Sequence, residues 1–224
     1  MVHCIISAGA TYEPLDKVRR LTNSSTGSLG TKLALRLAGD IPSIKISLLR
    51  SETATYPIPD IKENINIQTF STTETLLRKF QDLSTNDPCV IFHIAAVSDF
   101  SFGNVYEKLP DGTMERRLST KFSTRNNNPL FAELIPTPKI LEHLRSLFPS
   151  AFIVGWKYET TGSKSDLLKK AQEQISHNRS NLCVMNGPAY GNGYGIFSLT
   201  NPDKFIHIAN YVLLFEELQK LAFH

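Results

Sequence analysis

The feature that most restricts the fold is a series of short apolar runs separated by segments with helical periodicity. Residues 89–96 read CVIFHIAA and contain no Asp, Glu, Lys or Arg, which is typical of a central strand in a parallel sheet. Residues 2–7 form a second apolar run that ends in a turn at Gly9. Between such runs, residues 28–38 and 72–83 carry leucines at helical spacing. This alternation of strand and helix predicts an α/β protein.

The rest of the chain repeats the alternation. Further strands are predicted at residues 44–49, 64–70, 151–157 and 181–185. Further helices are predicted at residues 138–147, with Pro138 in the first turn, and at 164–177 and 209–222. Residues 196–200 and 205–208 flank the turn signal Asn201-Pro202-Asp203 and predict a hairpin. We therefore expect a doubly wound, mostly parallel, Rossmann-like sheet with helices on both faces and a C-terminal hairpin.

A polar stretch interrupts this pattern between about residues 100 and 130. It is rich in Asn, Thr, Ser, Arg and Gly, and its weak strand candidates lie near residues 114–122 and 130–134. A connection of this length inside a compact domain is usually functional or mobile. The chain has no internal repeat, linker or low-complexity segment. We expect one domain over residues 1–224 with a mobile loop at about 100–130.

Composition narrows the classes of ligand and location. Lys and Arg number 24 and Asp and Glu number 21, and the resulting net charge of +3 is too small to indicate a nucleic-acid partner. The three cysteines are scattered, which fits neither a disulfide framework nor a zinc site. No run of 18 apolar residues occurs, and the first residues lack the features of a signal peptide. We expect no membrane span and a cytoplasmic, reducing location.

Two polar segments are candidates for binding an anion. Residues 7–11 place Gly9 at the carboxyl end of the first strand, where α/β sheets bind ligands. Residues 19–30 bring hydroxyls and glycines together just before a helix, whose free N–H groups and positive dipole end attract anions. A plain turn and an N-cap with a flexible loop remain alternative explanations of the two segments.

Three further segments place polar or aromatic side chains near strand ends. Asp99 follows the central apolar run and suits a ligand hydroxyl or a metal ion, with a turn or N-cap role as the alternative. Lys121 lies in the polar stretch, where a lysine can swing over a phosphate or simply belong to a solvated basic face. Trp156 can stack on a base or cover the core. His93 is interpreted as a core histidine.

Taken in order, these segments resemble the phosphopantothenate–cysteine ligase family, also called phosphopantothenoylcysteine synthetase. The resemblance covers almost the whole chain, and the ordered set of motifs is more specific than any one of them. The matching motifs are residues 7–11, 13–16, Val18-Arg19, Asn23-x-Ser25-x-Gly27-x-x-Gly30, residues 95–99, 121–124, 137–139 and Gly155-x-Lys157-x-Glu159-Thr160.

The resemblance implies an acid–amino-acid ligase that forms a C–N bond. Such enzymes join the carboxylate of 4′-phosphopantothenate to the amine of L-cysteine in coenzyme A biosynthesis. A nucleoside triphosphate (CTP or ATP) with Mg²⁺ first activates the carboxylate as an acyl-nucleotide and releases pyrophosphate. Cysteine then displaces the nucleoside monophosphate. The chain length implies a stand-alone ligase without the flavin-dependent decarboxylase domain that is fused to it in many bacteria.

The resemblance also assigns site residues. Asn23 and Lys121 match catalytic positions, and the charge of Lys121 would stabilise the transferring phosphate. Arg19 matches an arginine that reaches the substrate phosphate from the neighbouring subunit, which implies a homodimer. The other substrate-binding positions are Ala95, Ala96 and Asp99, besides Asn23. The nucleotide-binding positions are Gly9, Ser25, Gly27, Gly30, Asp99, Lys121, Ile135, Pro136, Thr137, Pro138, Trp156, Lys170 and Asn186.

The chain departs from the family pattern at several positions. Ala10 replaces the second glycine of the turn, which narrows the available backbone angles. Trp156 stands where the family has Phe, and it is still able to stack. A second lysine expected near the end of the helix over residues 164–177 is replaced by Asn178 and Arg179, which leaves the choice between CTP and ATP open.

Two other functions compete with the ligase. A dinucleotide-dependent reductase would need a GxGxxG turn and an acidic residue at the end of strand two. The turn is absent, and strand two ends in Arg50, which suits the 2′-phosphate of NADP. A catalytically silent binding module would require loss of key positions, yet Asn23, Asp99 and Lys121 are present.

Overall fold

A computed structural model describes residues 2–58, 61–118, 122, 127–199 and 205–223. The strands and helices follow one another along the chain as β1 (His3–Ala8), β2 (Tyr12–Pro14), β3 (Arg20–Thr22), α1 (Ser28–Asp40), β4 (Lys45–Ser51), β5 (Ile65–Phe70), α2 (Thr73–Asp82), β6 (Cys89–His93), β7 (Phe100–Lys108), β8 (Met114–Arg116), β9 (Leu130–Pro136), α3 (Ile140–Leu147), β10 (Phe152–Tyr158), α4 (Lys164–Asn178), β11 (Leu182–Asn186), β12 (Tyr194–Phe197), β13 (Ile206–Ile208) and α5 (Tyr211–Phe223). None of the described helices has the length and apolar character needed to cross a membrane.

The centre of the molecule is an eight-stranded sheet with the strand order β13-β12-β11-β10-β6-β1-β4-β5. The six strands from β11 to β5 pair in parallel, whereas β12 and β13 add an antiparallel hairpin at one side. The order reverses between β1 and β6, which makes the carboxyl ends of these two strands the switch point where such sheets bind ligands. The predicted doubly wound sheet and C-terminal hairpin are confirmed.

Helices cover both faces of the sheet. On one face, α1 and α5 pack against the central strands, and α1 buries Leu33 and Leu37 completely. On the other face, α2, α3 and α4 form a row, in which α2 buries Leu76 and Phe80. Each such side chain contributes about 1.5–3 kcal/mol relative to an exposed one. The two helical layers thus bury both faces of the sheet.

The polar stretch at about residues 100–130, predicted to be a loop, contains most of a second sheet instead. There β7 pairs antiparallel with β9 and β8, and a bulge between Phe102 and Val105 shifts the register. The strand candidate at 130–134 is confirmed as part of β9, although β9 is exposed along its whole length. Strand β7 was not predicted, because Gly103 and Asn104 interrupt its alternation. The strand candidate at 114–122 is limited to β8 among the described residues.

Two smaller corrections concern the segments beside the site. The antiparallel pair of β2 and β3 was not predicted, because three-residue strands have too little pattern to detect. Helix α3 begins at Ile140 and not at Pro138, since Lys139 occupies the N-cap with an extended backbone. Residues 135–138 therefore form the passage from β9 into α3.

A buried hydrogen-bond pair fixes the turn after β6. The Oγ of Ser7 accepts the N–H groups of Ile94 (3.0 Å) and Ala95 (3.1 Å) and lies 2.8 Å from Nδ1 of His93. Because these two N–H groups occupy both lone pairs of the hydroxyl oxygen, the Ser7 O–H donates a hydrogen bond to Nδ1 of His93. Nδ1 therefore acts as an acceptor and carries no hydrogen, so the His93 ring is neutral. Burial lowers the pKa of His93 to about 4 from 6.5, as this arrangement requires. The interpretation of His93 as a core histidine agrees with this geometry.

We expect the His93→Gln variant to be less sensitive to acid than the wild-type protein. His93 has a pKa of about 6.5 in the unfolded chain and of about 4 in the folded chain. The free energy of unfolding is therefore highest above pH 6.5 and decreases as the pH falls toward 4. Between pH 7 and pH 5 the wild type should lose about 2 kcal/mol more unfolding free energy than His93→Gln. Urea unfolding at both pH values measures the difference.

His143, exposed on α3, provides the matched control. The His143→Gln variant should keep the pH dependence of the wild type. Equal pH dependence in the wild type and His93→Gln would show that His93 is not held neutral.

Candidate functional site

The loop after β1 and the segment after β6 are joined at the switch point. The N–H of Ala96 donates to the carbonyl of Gly9 at 2.9 Å, and the N–H of Thr11 donates to the carbonyl of Ala96 at 3.1 Å. An isolated parallel bridge joins Ala10 to Ala96. The structure thus brings together the glycine turn and the 95–99 segment that the sequence placed at two separate strand ends.

The start of α1 lies against the same turn because glycines allow a close approach. Gly9 (φ 94°) and Gly27 (φ 73°) both have left-handed backbones, and a Cβ on Gly27 would lie 3.3 Å from the Gly9 nitrogen. A Cβ on Gly30 would lie 2.7 Å from the Cβ of Ala8, which is too close. Gly27 is the N-cap of α1 and has no side chain to cap the helix, and the N–H of Ser28 donates to Oγ1 of Thr26 at 3.3 Å. The next two N–H groups, those of Leu29 and Gly30, make no hydrogen bond in the described structure, and they can bind an anion.

Asn23 and Ser25 lie on the loop that leads into α1. The Asn23 side chain donates from Nδ2 to the carbonyl of Val97 at 2.9 Å, and this bond connects the loop to the 95–99 segment. Thr22 supports it by donating from Oγ1 to the carbonyl of Thr11 at 3.0 Å. The Oγ of Ser25 lies 3.5 Å from the Gly27 nitrogen. Asn23 is exposed, and its second N–H and its oxygen are directed by the bond to Val97.

Asp99 and Thr137 connect this site to the start of α3. Thr137 donates its N–H to the carbonyl of Asp99 at 3.0 Å and its hydroxyl to the carbonyl of Ser98 at 2.5 Å. The carboxylate of Asp99 pairs with the ammonium of Lys139 and is 69% exposed. Sequence reasoning did not assign Lys139 a role, because the pair depends on a contact across 40 residues. Ile135 and Pro136 are exposed at the end of β9, and Pro138 follows Thr137.

Trp156 and Asn186 belong to the α1 side of the sheet, farther from the switch point. Asn186 lines a cavity of about 620 Å³ together with Tyr158, Tyr194, Tyr211, Asn192 and Asn210, and a glycine-rich loop completes the wall. Among the described residues, the buried Oδ1 of Asn186 and the buried Nε1 of Trp156 have no hydrogen-bond partner. Buried polar atoms are normally paired, so the Asn186 oxygen favours a polar ligand in this cavity, whereas Trp156 is not among the residues that line it.

Lys170 lies on the other side of the sheet edge. Its Nζ is 3.1 Å from the carboxylate of Glu159, and the Nζ of Lys157 is 3.4 Å from the same carboxylate. Partial burial raises the pKa of Glu159, but the two lysines outweigh it and the pKa is lowered overall. The three groups carry one net positive charge. Sequence reasoning missed Lys157 and Glu159 as functional partners of Lys170, although the motif contained both.

Arg19 is held inside its own chain. Its guanidinium pairs with Asp16 at 2.6 Å, donates to the carbonyl of Phe122 at 2.8 Å and lies 5.9 Å from the centre of the Phe122 ring. Asp16 also accepts the N–H of Phe122 at 3.2 Å. Hydrogen bonds from Arg19 and from backbone N–H groups hold the pKa of Asp16 well below its usual range. Lys121, the neighbour of Phe122 in sequence, lies outside the described residues.

Arg50 does not serve a dinucleotide in this arrangement. Its Nη2 donates to the carbonyls of Ala54 (2.9 Å) and Tyr56 (2.6 Å), so it shapes the loop after β4. That loop fills the space beside the glycine turn, where a Cβ on Gly9 would lie 2.6 Å from the Cβ of Ser51. The position that seemed suited to the 2′-phosphate of NADP is thus used by the protein backbone, which disfavours the reductase.

The chemistry that this edge offers is binding and orientation of an anion and a planar group. It presents backbone N–H groups, amides, lysines and aromatic rings. The three cysteines, Cys4, Cys89 and Cys183, are buried in the core, and burial raises the pKa of Cys183 to about 12 and that of Cys89 to about 11. No group of three or more His, Cys, Asp or Glu side chains suited to a metal occurs in the described part of the chain.

Several known proteins are similar to this chain in sequence. The family described as "DNA/pantothenate metabolism flavoprotein C-terminal domain" matches residues 1–221. The coenzyme A biosynthesis bifunctional protein CoaBC of Thermococcus kodakarensis is 31% identical over 182 residues, which are 81% of this chain and 40% of that protein. CoaBC of Bacillus subtilis is 27% identical over 197 residues, covering 86% of this chain and 42% of that protein. The chain thus spans less than half the length of these relatives.

Two solved structures resemble the fold closely. The DNA/pantothenate metabolism flavoprotein from Streptococcus pneumoniae superposes with a TM-score of 0.80 at 21% identity, over 100% of both chains. A Cab2 mutant in complex with phosphopantothenate-cysteine superposes with a TM-score of 0.75 at 19% identity, over 99% of this chain and 86% of that one. Since the family match extends over residues 1–221, the chain belongs to the family of the DNA/pantothenate metabolism flavoprotein C-terminal domain.

Proposed function

We propose that this chain is a phosphopantothenate–cysteine ligase, which joins 4′-phosphopantothenate to L-cysteine at the cost of a nucleoside triphosphate. The observation that carries the proposal is the meeting of Gly9, Gly27, Asn23 and the 95–99 segment at the switch point. Family membership supports it, because the relatives are named as coenzyme A biosynthesis proteins. The molecule bound to Cab2, phosphopantothenate-cysteine, is the product that this reaction would form.

The proposed reaction has two steps. The substrate carboxylate attacks the α-phosphorus of CTP or ATP, the bond to the β-phosphate oxygen breaks, and pyrophosphate leaves. The amine of cysteine then attacks the acyl carbon, the bond to the nucleotide oxygen breaks, and the nucleoside monophosphate leaves with the amine losing a proton. Both steps develop negative charge on oxygens, which backbone donors and lysines stabilise in a site of fixed geometry.

The substrate end of the site is the Asn23 side. Ala95 and Ala96 leave room for the pantothenate chain, because their side chains are single methyl groups. Asn23, oriented by its bond to Val97, offers a donor to the activated carboxyl group. Asp99, whose carboxylate pairs with the ammonium of Lys139, accepts a substrate hydroxyl.

The nucleotide end extends from the start of α1 toward the two orphaned polar atoms. Gly9, Gly27 and Gly30 let the turn after β1 pack against the start of α1, and the phosphates bind there to the N–H groups of Leu29 and Gly30, with the Ser25 hydroxyl nearby. The base and ribose then reach Trp156 and Asn186. Residues 135–138 border this end at the start of α3, and Lys170 contributes the excess positive charge that it shares with Lys157.

We propose that Mg²⁺ enters with the nucleotide. Magnesium commonly retains waters and is held by phosphate oxygens with one or two carboxylates. Asp99 is the exposed carboxylate of the site that fits this use.

The three described cysteines are unpaired, which supports a reducing, cytoplasmic location.

We also propose a homodimer built on the second sheet. Its strand β9 exposes four large apolar side chains in the described structure: Leu130, Phe131, Leu134 and Ile135. Since side chains alternate along a strand, Leu130 and Leu134 lie on one face of β9 and Phe131 and Ile135 on the other, and such exposed apolar side chains mark association surfaces. The β2–β3 hairpin lies nearby, since β2 contacts β7, and it carries the half-exposed Arg19. Arg19 would leave its own Phe122 carbonyl to reach the substrate phosphate of the partner subunit.

The first experiment tests the reaction itself. Incubation of the chain with phosphopantothenate, cysteine, Mg²⁺ and either CTP or ATP should release pyrophosphate and the matching monophosphate in equal amounts. Mass spectrometry should show phosphopantothenoylcysteine, formed only when all components are present. Oxidation of NADPH or reduction of NADP without release of pyrophosphate would contradict the ligase and show that the chain is a reductase.

The second experiment tests the role of Asn23. In Asn23→Asp a carboxylate would face the carbonyl of Val97, and a donor would be lost beside an anionic intermediate, so we expect kcat to fall at least about 100-fold. The thermal midpoint should change little because Asn23 is exposed. We expect Lys121→Gln to lower kcat comparably. Asn66→Asp, exposed on β5, is the matched control and should behave as the wild type. Near-normal kcat in Asn23→Asp would remove Asn23 from the mechanism.

The third experiment tests whether Arg19 acts across the dimer. Arg19→Gln and Asn23→Asp should each be nearly inactive alone. After mixing and subunit exchange, half of the dimers are mixed, and each mixed dimer has one site with both native residues, so about a quarter of the wild-type activity should return. Light scattering should show twice the 25.1 kDa chain mass. A wild-type monomer with full activity, or no recovery on mixing, would contradict the shared site.

A further inference from the structure

Lys32 on α1 is a cation held between two aromatic rings. Its Nζ lies 4.2 Å from the ring centre of Tyr211 and 5.3 Å from that of Tyr56. No ion pair joins Lys32 to a carboxylate within the part of the chain that the structure describes. The rings attract the cation and restrict its rotamers, but they do not neutralise its charge. Lys32 therefore remains free to bind an anion in a defined position.

The two rings place Lys32 between the start of α1 and the cavity that contains Asn186. Tyr56 donates its backbone N–H to the carbonyl of Thr26 at 3.0 Å, immediately before the N-cap Gly27. Tyr211 is the first residue of α5 and lines the cavity that contains Asn186. A helical side chain leans toward the helix N-terminus, so Lys32 reaches back toward the first turn of α1. Through these two rings, its ammonium is connected both to the loop before α1 and to the wall of the cavity.

The cavity itself supplies no charge for such a ligand. Its described lining consists of tyrosines, asparagines, glycines, a proline and an alanine. Aromatic and amide groups suit a flat, uncharged base, whereas a phosphate chain needs cations and N–H donors. The buried Asn186 Oδ1 without a partner marks the cavity as a place for a polar ligand. Lys32 is the cation at the border between these two environments.

We propose that Lys32 binds the polyphosphate chain of the nucleoside triphosphate, with Tyr56 and Tyr211 positioning its ammonium. This inference rests on the proposed function and adds a residue to it. Its interaction is with the phosphates and not with the base or the ribose. Tyr211 then connects the two environments, because one ring lines the cavity and holds the lysine.

Equilibrium binding separates this role from a structural one. We expect Lys32→Met to raise the Kd of the nucleoside triphosphate used by the wild type about tenfold and to leave the Kd of the corresponding nucleoside unchanged, in isothermal titration calorimetry. Lys32→Arg should restore most of the affinity. Lys220→Met, on exposed α5 surface beside Glu217, is the control and should bind as the wild type. An unchanged triphosphate Kd in Lys32→Met, or an equal loss for the nucleoside, would overturn the assignment.

A separate experiment tests the aromatic clamp, which is the pair of rings of Tyr56 and Tyr211 on either side of the Lys32 ammonium. Tyr56 does not line the cavity, so its variants report on the lysine alone. We expect Tyr56→Leu to raise the Kd of the triphosphate about threefold, whereas Tyr56→Phe keeps the ring and the affinity. Equal affinity in Tyr56→Leu and the wild type would remove the clamp.

The same measurements distinguish failure of this inference from failure of the proposed function. If the wild type turns over and Lys32→Met binds the triphosphate equally well, the ligase stands and Lys32 has no part in it. If the wild type binds neither CTP nor ATP and forms no product, both proposals are overturned. A rise in the KM of the nucleotide with an unchanged KM of phosphopantothenate supports the role of Lys32.

Discussion

The contact between the end of β1 and the start of α1 is the constraint on which the rest of the site depends. Gly30 packs so closely that a Cβ would lie 2.7 Å from Ala8, and Gly27 turns the chain into the helix with a positive φ. Burial of Leu33 and Leu37 one and two turns later keeps the helix seated. This close packing holds the start of α1 beside the switch point. An added methyl group would displace the donors together with the helix.

At the carboxyl edge of the central sheet, the face covered by α1 and the face covered by α4 differ in charge. On the α1 side, tyrosines and asparagines form a neutral wall with Lys32 at its border. On the α4 side, Lys157 and Lys170 share one carboxylate and retain an excess positive charge. An anion placed between the two sides meets donors from both, while a neutral base is accommodated by one side only. This division suits a ligand that is highly charged at one end and flat at the other.

The sequence predicted the central sheet well because parallel strands buried on both faces read as continuous apolar runs, of which residues 89–96 are the clearest. The resemblance to the ligase family implied that Gly9, Gly27, Asn23 and Ala96 belong to one site, and the structure brings these four residues together. Prediction from the sequence failed where pairing is distant and exposed, as in β7 with β9, and where strands are only three residues long, as in β2 and β3. Contacts such as Lys139 with Asp99 depend on side-chain reach, which no local pattern encodes.

The exposed strand β9 also affects how the folded chain behaves in solution. It lies at the edge of its three-stranded sheet, and in the described structure its outer row of backbone groups has no neighbour. Because Leu130, Phe131 and Leu134 are exposed on this strand, its free edge is a template on which another chain can add a strand. Aggregation would then start from correctly folded molecules, without prior unfolding.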